Sequence, residues 1–478
     1  MKHYLCLLYV IICLNSFSQK KSFDVQKKYS VDQILADIDY TEKYLIKFHP
    51  DPFRYISRDS LHAFVLYTKS KIDTPLTEMQ ARFYIKRLVA KIGCGHTDVG
   101  ASKKYTKAVT KLSRPALPLN TFVIDTNRLF ILNNLSKDTT IKPGDEILSI
   151  DRRSVKSILS TIYSISTTDG FNTTYKKQGT KYQWFKYYYS FCYGFKPNYL
   201  VTLKHKDHSI STYTLEAISS LKDTLIAPKK DTVICLAKIK TCNYSILKDD
   251  KSVGVLDING FKGKNWHSFF RKSFRDIQKK KIEHLVIDLR DNGGGQINDG
   301  MNLLSYLIDK TLYLPFDRKP NLMMFNPKYK MGFGNRLTPL AFALFMPKTF
   351  YYGRLRYFFI SFSKRKYAYK GNIYVLVNGK SFSMSAVAAS YLKYKANAVI
   401  IGEETGGNLT GSNAVVSGKI LLPNTKIQVF IPMYHLYHDI DAKNEGTGLK
   451  PDYPTHYSQE DILNGVDMDL IKVFELVK

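Results

Sequence analysis

Residues 284–295 read His284-Leu-Val-Ile-Asp-Leu-Arg-Asp-Asn-Gly-Gly-Gly295. The apolar run at 284–289, closed by turn residues, predicts a buried strand. Gly293, Gly294 and Gly295 at its carboxyl end let the chain turn sharply and bring backbone N–H groups close to a ligand. Such a loop can supply an oxyanion donor; a tight turn with no further role is the alternative. No Gly-Lys-Ser/Thr follows, which argues against a phosphate loop.

Working outward, 253–258 predicts another strand and 266–279 an amphipathic basic helix. After the glycines come a helix at about 298–308, an irregular, aromatic and basic stretch at 310–370, and a buried strand at 372–377. A helix of small residues at 384–393 and a strand at 398–401 follow, the strand ending in Gly402-Glu-Glu-Thr-Gly-Gly. Residues 415–431 alternate as antiparallel strands. Strands alternating with helices predict an α/β core with a mixed sheet over 221–478.

Upstream the patterning changes. Short β-rich runs at 122–124 and 129–132, the turn and strand of Lys142-Pro-Gly-Asp-Glu-Ile-Leu-Ser-Ile-Asp, a helix at 155–163 and strands at 199–204 and 210–215 predict a compact β domain over 113–220. Its residues 165–198, rich in Tyr, Phe and Lys, follow no clear period and read as an insertion. Residues 19–112 predict a helical region. Ser30 is an N-cap with Gln33 three residues on, Ile34, Leu35, Ile38 and Leu45 recur at helical spacing, and a second helical stretch over 76–92 ends at Gly93.

Lys2, the apolar run 4–14 and the small residues at 15–18 predict a signal peptide over 1–18. The product is then exported, to a periplasmic or extracellular location. The chain has 478 residues, 44% hydrophobic and 23% charged, which excludes wholesale disorder and a multi-span membrane protein. A net charge of +30 favours anionic partners such as envelope surfaces, although lysines spread along the whole chain also fit plain solubility. No nucleic-acid-binding module is recognisable. Cys235 and Cys242 are either a local bridge or two buried thiols.

Ser383, in Lys380-Ser-Phe-Ser-Met-Ser-Ala, lies between a strand and a helix, where unpaired N–H groups favour developing negative charge. That placement suits a nucleophile; helix N-capping by Ser381, Ser383 or Ser385 is the alternative. His96, on a loop just past a helix end, is of the type that serves as base at neutral pH. Glu445 sits in Glu-Gly-Thr-Gly and can orient a histidine. Alone, each also fits a structural role. His435, His438, Asp439 and Asp441 carry metal-ligand chemistry, but residues three apart on a strand point to opposite faces, and no metal is expected.

The motifs Asp288-Leu-Arg-Asp-Asn-Gly-Gly-Gly, Val375-Leu-Val-Asn-Gly-Lys-Ser-Phe-Ser and Ile401-Gly-Glu-Glu-Thr-Gly-Gly, in this order, resemble the carboxy-terminal processing (tail-specific) serine peptidase family. Lys142-Pro-Gly-Asp-Glu-Ile-Leu-Ser-Ile resembles the core of its PDZ domain. Phe48-His-Pro-Asp and Gly95-His96-Thr97 resemble the branch that includes the tricorn core and interphotoreceptor retinoid-binding protein. The resemblance implies an α+β multidomain fold: an N-terminal helical region, a PDZ-like β domain and a crotonase-like, ClpP-type mixed-sheet peptidase core. It further implies Ser383 as nucleophile, His96 as base and Glu445 as its orienter. Oxyanion donors would come from Gly293 or Gly294 and from Met384.

Asn408 stands where many members carry a lysine base, Gly95 where the tricorn core has a serine, and Pro118 has no N–H to offer in the segment matching the carboxylate-binding loop. The implied activity is that of an exported serine endopeptidase without a cofactor, its partner a polypeptide that is unfolded or presents a C-terminal segment. The rival is a non-catalytic peptide- or lipid-binding protein on the same fold.

Overall fold

The computed structural model describes residues 23–219, 233–317, 326–332, 349–352, 355–362, 365–443 and 446–478. The signal-peptide reading of 1–18 and the expected orienter Glu445 lie outside them. Three larger sheets carry the fold. The first has seven strands in the order Val233–Ile239, Cys242–Leu247, Val253–Ile258, His284–Asp288, Asn372–Val377, Val399–Gly402 and Tyr453–Pro454. The last five run parallel, and Cys242–Leu247 pairs antiparallel with both of its neighbours, so the sheet is mixed, as the sequence predicts. Both faces of the parallel part are covered, which is why its strands are apolar throughout rather than alternating.

The helix Trp266–Lys280 packs Trp266, Phe269, Phe270, Phe274 and Ile277 inward and leaves its cations in water. Each of those aromatic side chains contributes roughly 1.5–3 kcal/mol by leaving water. The second sheet is antiparallel: Thr349–Tyr352, Leu355–Phe362, Leu312–Asp317, Gln428–Tyr437 and Gly411–Leu421, with Asp98–Gly100 added on Gln428–Phe430. The stretch read as irregular at 310–370 therefore contributes three strands. Thr349–Tyr352 and Leu355–Phe362 pair as neighbours in the chain, and the pair is joined to the sheet through Leu312–Asp317, which bridges Leu355–Phe362 and the remote Gln428–Tyr437.

The third sheet, Leu119–Ile124, Arg128–Asn134, Glu146–Ile150, Asn198–Lys204 and Ile210–Glu216 with the short Arg153–Ser154, closes over its own apolar core. The supposedly aperiodic 165–198 holds two helices, Thr174–Gly179 and Gln183–Tyr193. Phe185 and Tyr189 of the second join the third sheet's core. The Tyr182 N–H donates to Thr121 O on the outer edge of Leu119–Ile124.

The N-terminal helices Val31–Phe48, Arg58–Lys69 and Glu78–Ala90 share one hydrophobic cluster with the mixed sheet. Ser30 with Gln33 and Thr77 with Gln80 form reciprocal capping boxes, so the expected starts hold to within a residue or two. Cys235 and Cys242 are free thiols, one exposed and one buried, and make no bridge.

Candidate active site

Parallel pairing of His284–Asp288 with Asn372–Val377 places their carboxyl ends side by side. The glycine loop leaves the first strand and the serine turn leaves the second, the arrangement in which open parallel sheets bind ligands. Asn292 shapes the loop: its Nδ2 donates to Ile258 O at 2.7 Å, and its Oδ1 accepts the Gly294 N–H at 2.9 Å. Gly294 has φ +93°, and a Cβ there would lie 2.7 Å from Ser383 Cβ and 2.9 Å from Met384 N. Glycine is required because the loop lies directly against the serine.

Ser383 itself adopts φ 56°, ψ −124°, a strained conformation for a residue with a side chain, at the N-cap of the helix Met384–Ala396. Its hydroxyl makes no capping bond, which disposes of the N-cap alternative for this residue. Ser381 is the structural serine of the turn. It is buried, donating to Leu289 O at 2.7 Å and accepting the Asn378 N–H at 3.0 Å.

Ser383 Oγ lies 3.1 Å from His96 Nε2, from a residue 287 positions earlier. His96 arrives on the loop between Glu78–Ala90 and Asp98–Gly100 and lies over the Phe382 ring at 4.7 Å, which in turn lies 4.9 Å from Tyr175. Burial pushes the imidazole below its ordinary value, and the Asp169 carboxylate acts against that. A neutral imidazole is therefore available as a base at and below neutral pH. Its Nδ1 is buried without a hydrogen-bond partner among the described residues. Gly95, where the tricorn core has serine, admits no side chain easily. A Cβ would lie 2.6 Å from the Phe382 ring, which is clamped between His96 and Tyr175.

The backbone N–H groups of Gly293 and Met384 have no acceptor among the described residues, whereas that of Gly294 is taken by Asn292. Of the two glycines named for the oxyanion, Gly294 thus has its N–H engaged and Gly293 has its N–H open among the described residues. Asn408, in the lysine position, is a structural anchor. Its Nδ2 donates to Tyr55 OH at 3.0 Å and its Oδ1 accepts the Thr410 N–H at 2.9 Å.

His435 is engaged with Asn413 and Arg54, His438 with Leu409 O, and Asp439 with Lys395, and no group able to hold a metal occurs among the described residues. Asp169 and Asn292 were missed as site residues. Asp-Gly and Asp-Asn-Gly read locally as turn chemistry, and only the tertiary approach reveals their second use.

A strained serine within hydrogen-bond reach of a histidine, facing a glycine loop at the ends of a parallel sheet, is a geometry able to activate a hydroxyl nucleophile. Residues 252–455 match the model of peptidase family S41. Two curated relatives, each described as a probable CtpA-like serine protease of Staphylococcus epidermidis, are 30% identical over 108 residues. That stretch is 23% of this chain and spans only 20% of each relative. Among solved structures, one described as mature CPAF and one of mature CPAF complexed with lactacystin align with a TM-score of 0.65 at 16% identity. They cover 94% of this chain and 97% and 98% of theirs, a likeness of fold across nearly the whole length. No helix among the described residues is long and apolar enough to cross a membrane.

Proposed function

We propose that the protein is an exported serine endopeptidase acting on polypeptides. The observation that carries the reading is the 3.1 Å approach of Ser383 Oγ to His96 Nε2. His96 takes the hydroxyl proton as Oγ bonds to the peptide carbonyl carbon, and the displaced electron pair resides on the carbonyl oxygen. The N–H groups of Gly293 and Met384 receive that oxyanion. Collapse of the tetrahedral species breaks the C–N bond, and the leaving amine takes the proton from His96. Water, deprotonated by His96, then attacks the ester and releases Ser383. Glu445 orients the imidazole during these transfers.

The unit over 113–220 is PDZ-like, but it does not capture C-termini in this reading. The outer edge of Leu119–Ile124 meets the protein's own Tyr182, and Pro118 offers no N–H. Internal bonds of unfolded segments are therefore the substrate, and no cofactor takes part.

The test is fluorophosphonate labelling together with cleavage of unfolded casein. Wild type labels and cleaves. Ser383→Ala does neither, its rate falling by about 10⁴-fold or more, and His96→Ala falls with it. Absence of labelling in wild type overturns the reading in favour of a non-catalytic binding protein; retention of activity in His96→Ala overturns the assignment of the base.

A further inference from the structure

We propose that Asp169 is a positioning residue for His96, and that Asp169-Gly170-Phe171 is a strap holding the histidine loop against the loops that complete the site. This deepens the peptidase reading above and rests on it. Asp169 is 3% exposed. Its Oδ1 accepts the Gly95 N–H at 2.8 Å, one residue before His96, and its Oδ2 faces the Asn408 N–H at 3.5 Å.

The next two residues continue the strap through backbone bonds. The Gly170 N–H donates to Gly93 O at 2.9 Å, and the Phe171 N–H donates to Gly446 O at 2.8 Å. Gly170 has φ +58°, and a Cβ there would run into Gly446 O, so glycine is what allows the strap to lie this close. Asn172 then donates to Glu404 Oε1 and Thr405 O, both at 2.9 Å. Four residues thus join three loops from distant parts of the chain: 93–95, 404–408 and 446.

The charge environment fits the same role. Among the described residues, Asp169 is the group besides burial that acts on the His96 imidazole, and it favours the protonated form. Burial raises the Asp169 carboxyl itself, opposed by His96, by the Gly95 and Asn408 N–H groups and by Arg54. Among the described residues, Cys94 and Tyr175 are titratable groups on which Asp169 also acts. Burial first and the Asp169 carboxylate second push both up to about 12, with Asp98 adding a smaller push on Tyr175. Both therefore stay neutral, and among the described residues Asp169, itself facing Arg54, is the charged group that acts on His96. An imidazole that must gain and lose a proton in a buried site benefits from a fixed negative charge that stabilises its cationic form.

The experiment compares wild type with Asp169→Asn, which keeps an acceptor for Gly95 and removes the charge. His96 is titrated by histidine carbon NMR, its signal assigned by its loss in His96→Ala, and Ser383 labelling is followed against pH. Asp169→Asn should melt close to wild type, while its His96 midpoint falls by about one pH unit. The acid limb of labelling should fall with it, and the plateau should drop about tenfold. An unchanged His96 midpoint with unchanged labelling overturns the proposal and leaves Asp169 a purely structural tie.

If wild type does not label at all, the peptidase reading fails while the NMR titration still decides the role of Asp169. Should Asp169→Asn not fold, Arg54→Met serves instead. It removes the cation that favours the ionised Asp169 carboxyl and so should move the His96 midpoint downward, as Asp169→Asn does, and no movement overturns the proposal.

Discussion

Two buried ionic clusters lie on neighbouring loops of this protein and are built to opposite standards. Arg290, two residues past the end of its strand, spends its guanidinium on Asp288, Asp467 and Asp469, with contacts of 2.6–3.0 Å. Tyr457 lies against the same carboxylates. The carboxylates raise the guanidinium well above its ordinary value in spite of burial, so it is permanently charged. The His96–Asp169 pair is sparser. His96 Nδ1 has no partner among the described residues, and one Asp169 oxygen has only a long contact. A saturated network holds one arrangement and resists change. Around His96 the described residues leave Nδ1 open, the position the orienter Glu445 proposed above would take.

The contrast can be broken most forcefully at Arg290. Arg290→Met strands three carboxylates and should cost about 3–5 kcal/mol in urea unfolding. A loss near zero would mean that the knot is not what anchors the C-terminal helix Met468–Val477, whose N-cap is Asp467.

Gly294→Ala comes next. It places a methyl against Ser383 Cβ and Met384 N and should cut labelling by about 10²–10³-fold, with a much smaller change in stability. Wild-type labelling in that variant would remove the glycine loop from the oxyanion site.

The smallest effect sharpens the comparison rather than breaking it. Because burial holds His96 below the ordinary 6.5, the acid limb of wild-type labelling should lie below pH 6.5. The sign follows from the neutral imidazole being the form the fold prefers, so protonation on acidification costs both activity and stability. A limb at or above 6.5 would mean that the Asp169 charge outweighs burial.

The parts of the site that were legible in the sequence are those fixed by local chemistry. A glycine run after an apolar strand and a serine before a small-residue helix are short-range constraints, and both stand where the motifs put them. His96 was legible only through its resemblance to a family branch, since a loop histidine has no local signature of its own. Asp169 was illegible because Asp-Gly is turn chemistry wherever it occurs.

The helix Gln183–Tyr193 was missed for a different reason. Phe185 and Tyr189 face the third sheet's core, while Phe191 is buried under Arg82 of the helix Glu78–Ala90. A helix packed on more than one side shows no single apolar stripe for periodicity to find. Of the N-terminal helices, Val31–Phe48 and Glu78–Ala90 were placed along the chain, whereas Arg58–Lys69 was not marked out as an element of its own. Their union with the mixed sheet in one core depends on contacts that a sequence pattern does not encode.

That shared core bears on timing. The serine and the histidine are separated by 287 positions, and the histidine's strand closes onto Gln428–Phe430, still nearer the C-terminus. Contacts so remote form only after the intervening chain has been ordered. During synthesis the histidine leaves the ribosome long before its partner. The meeting of Ser383 with His96 is therefore a late event, waiting on a strand that is made more than three hundred residues after the histidine.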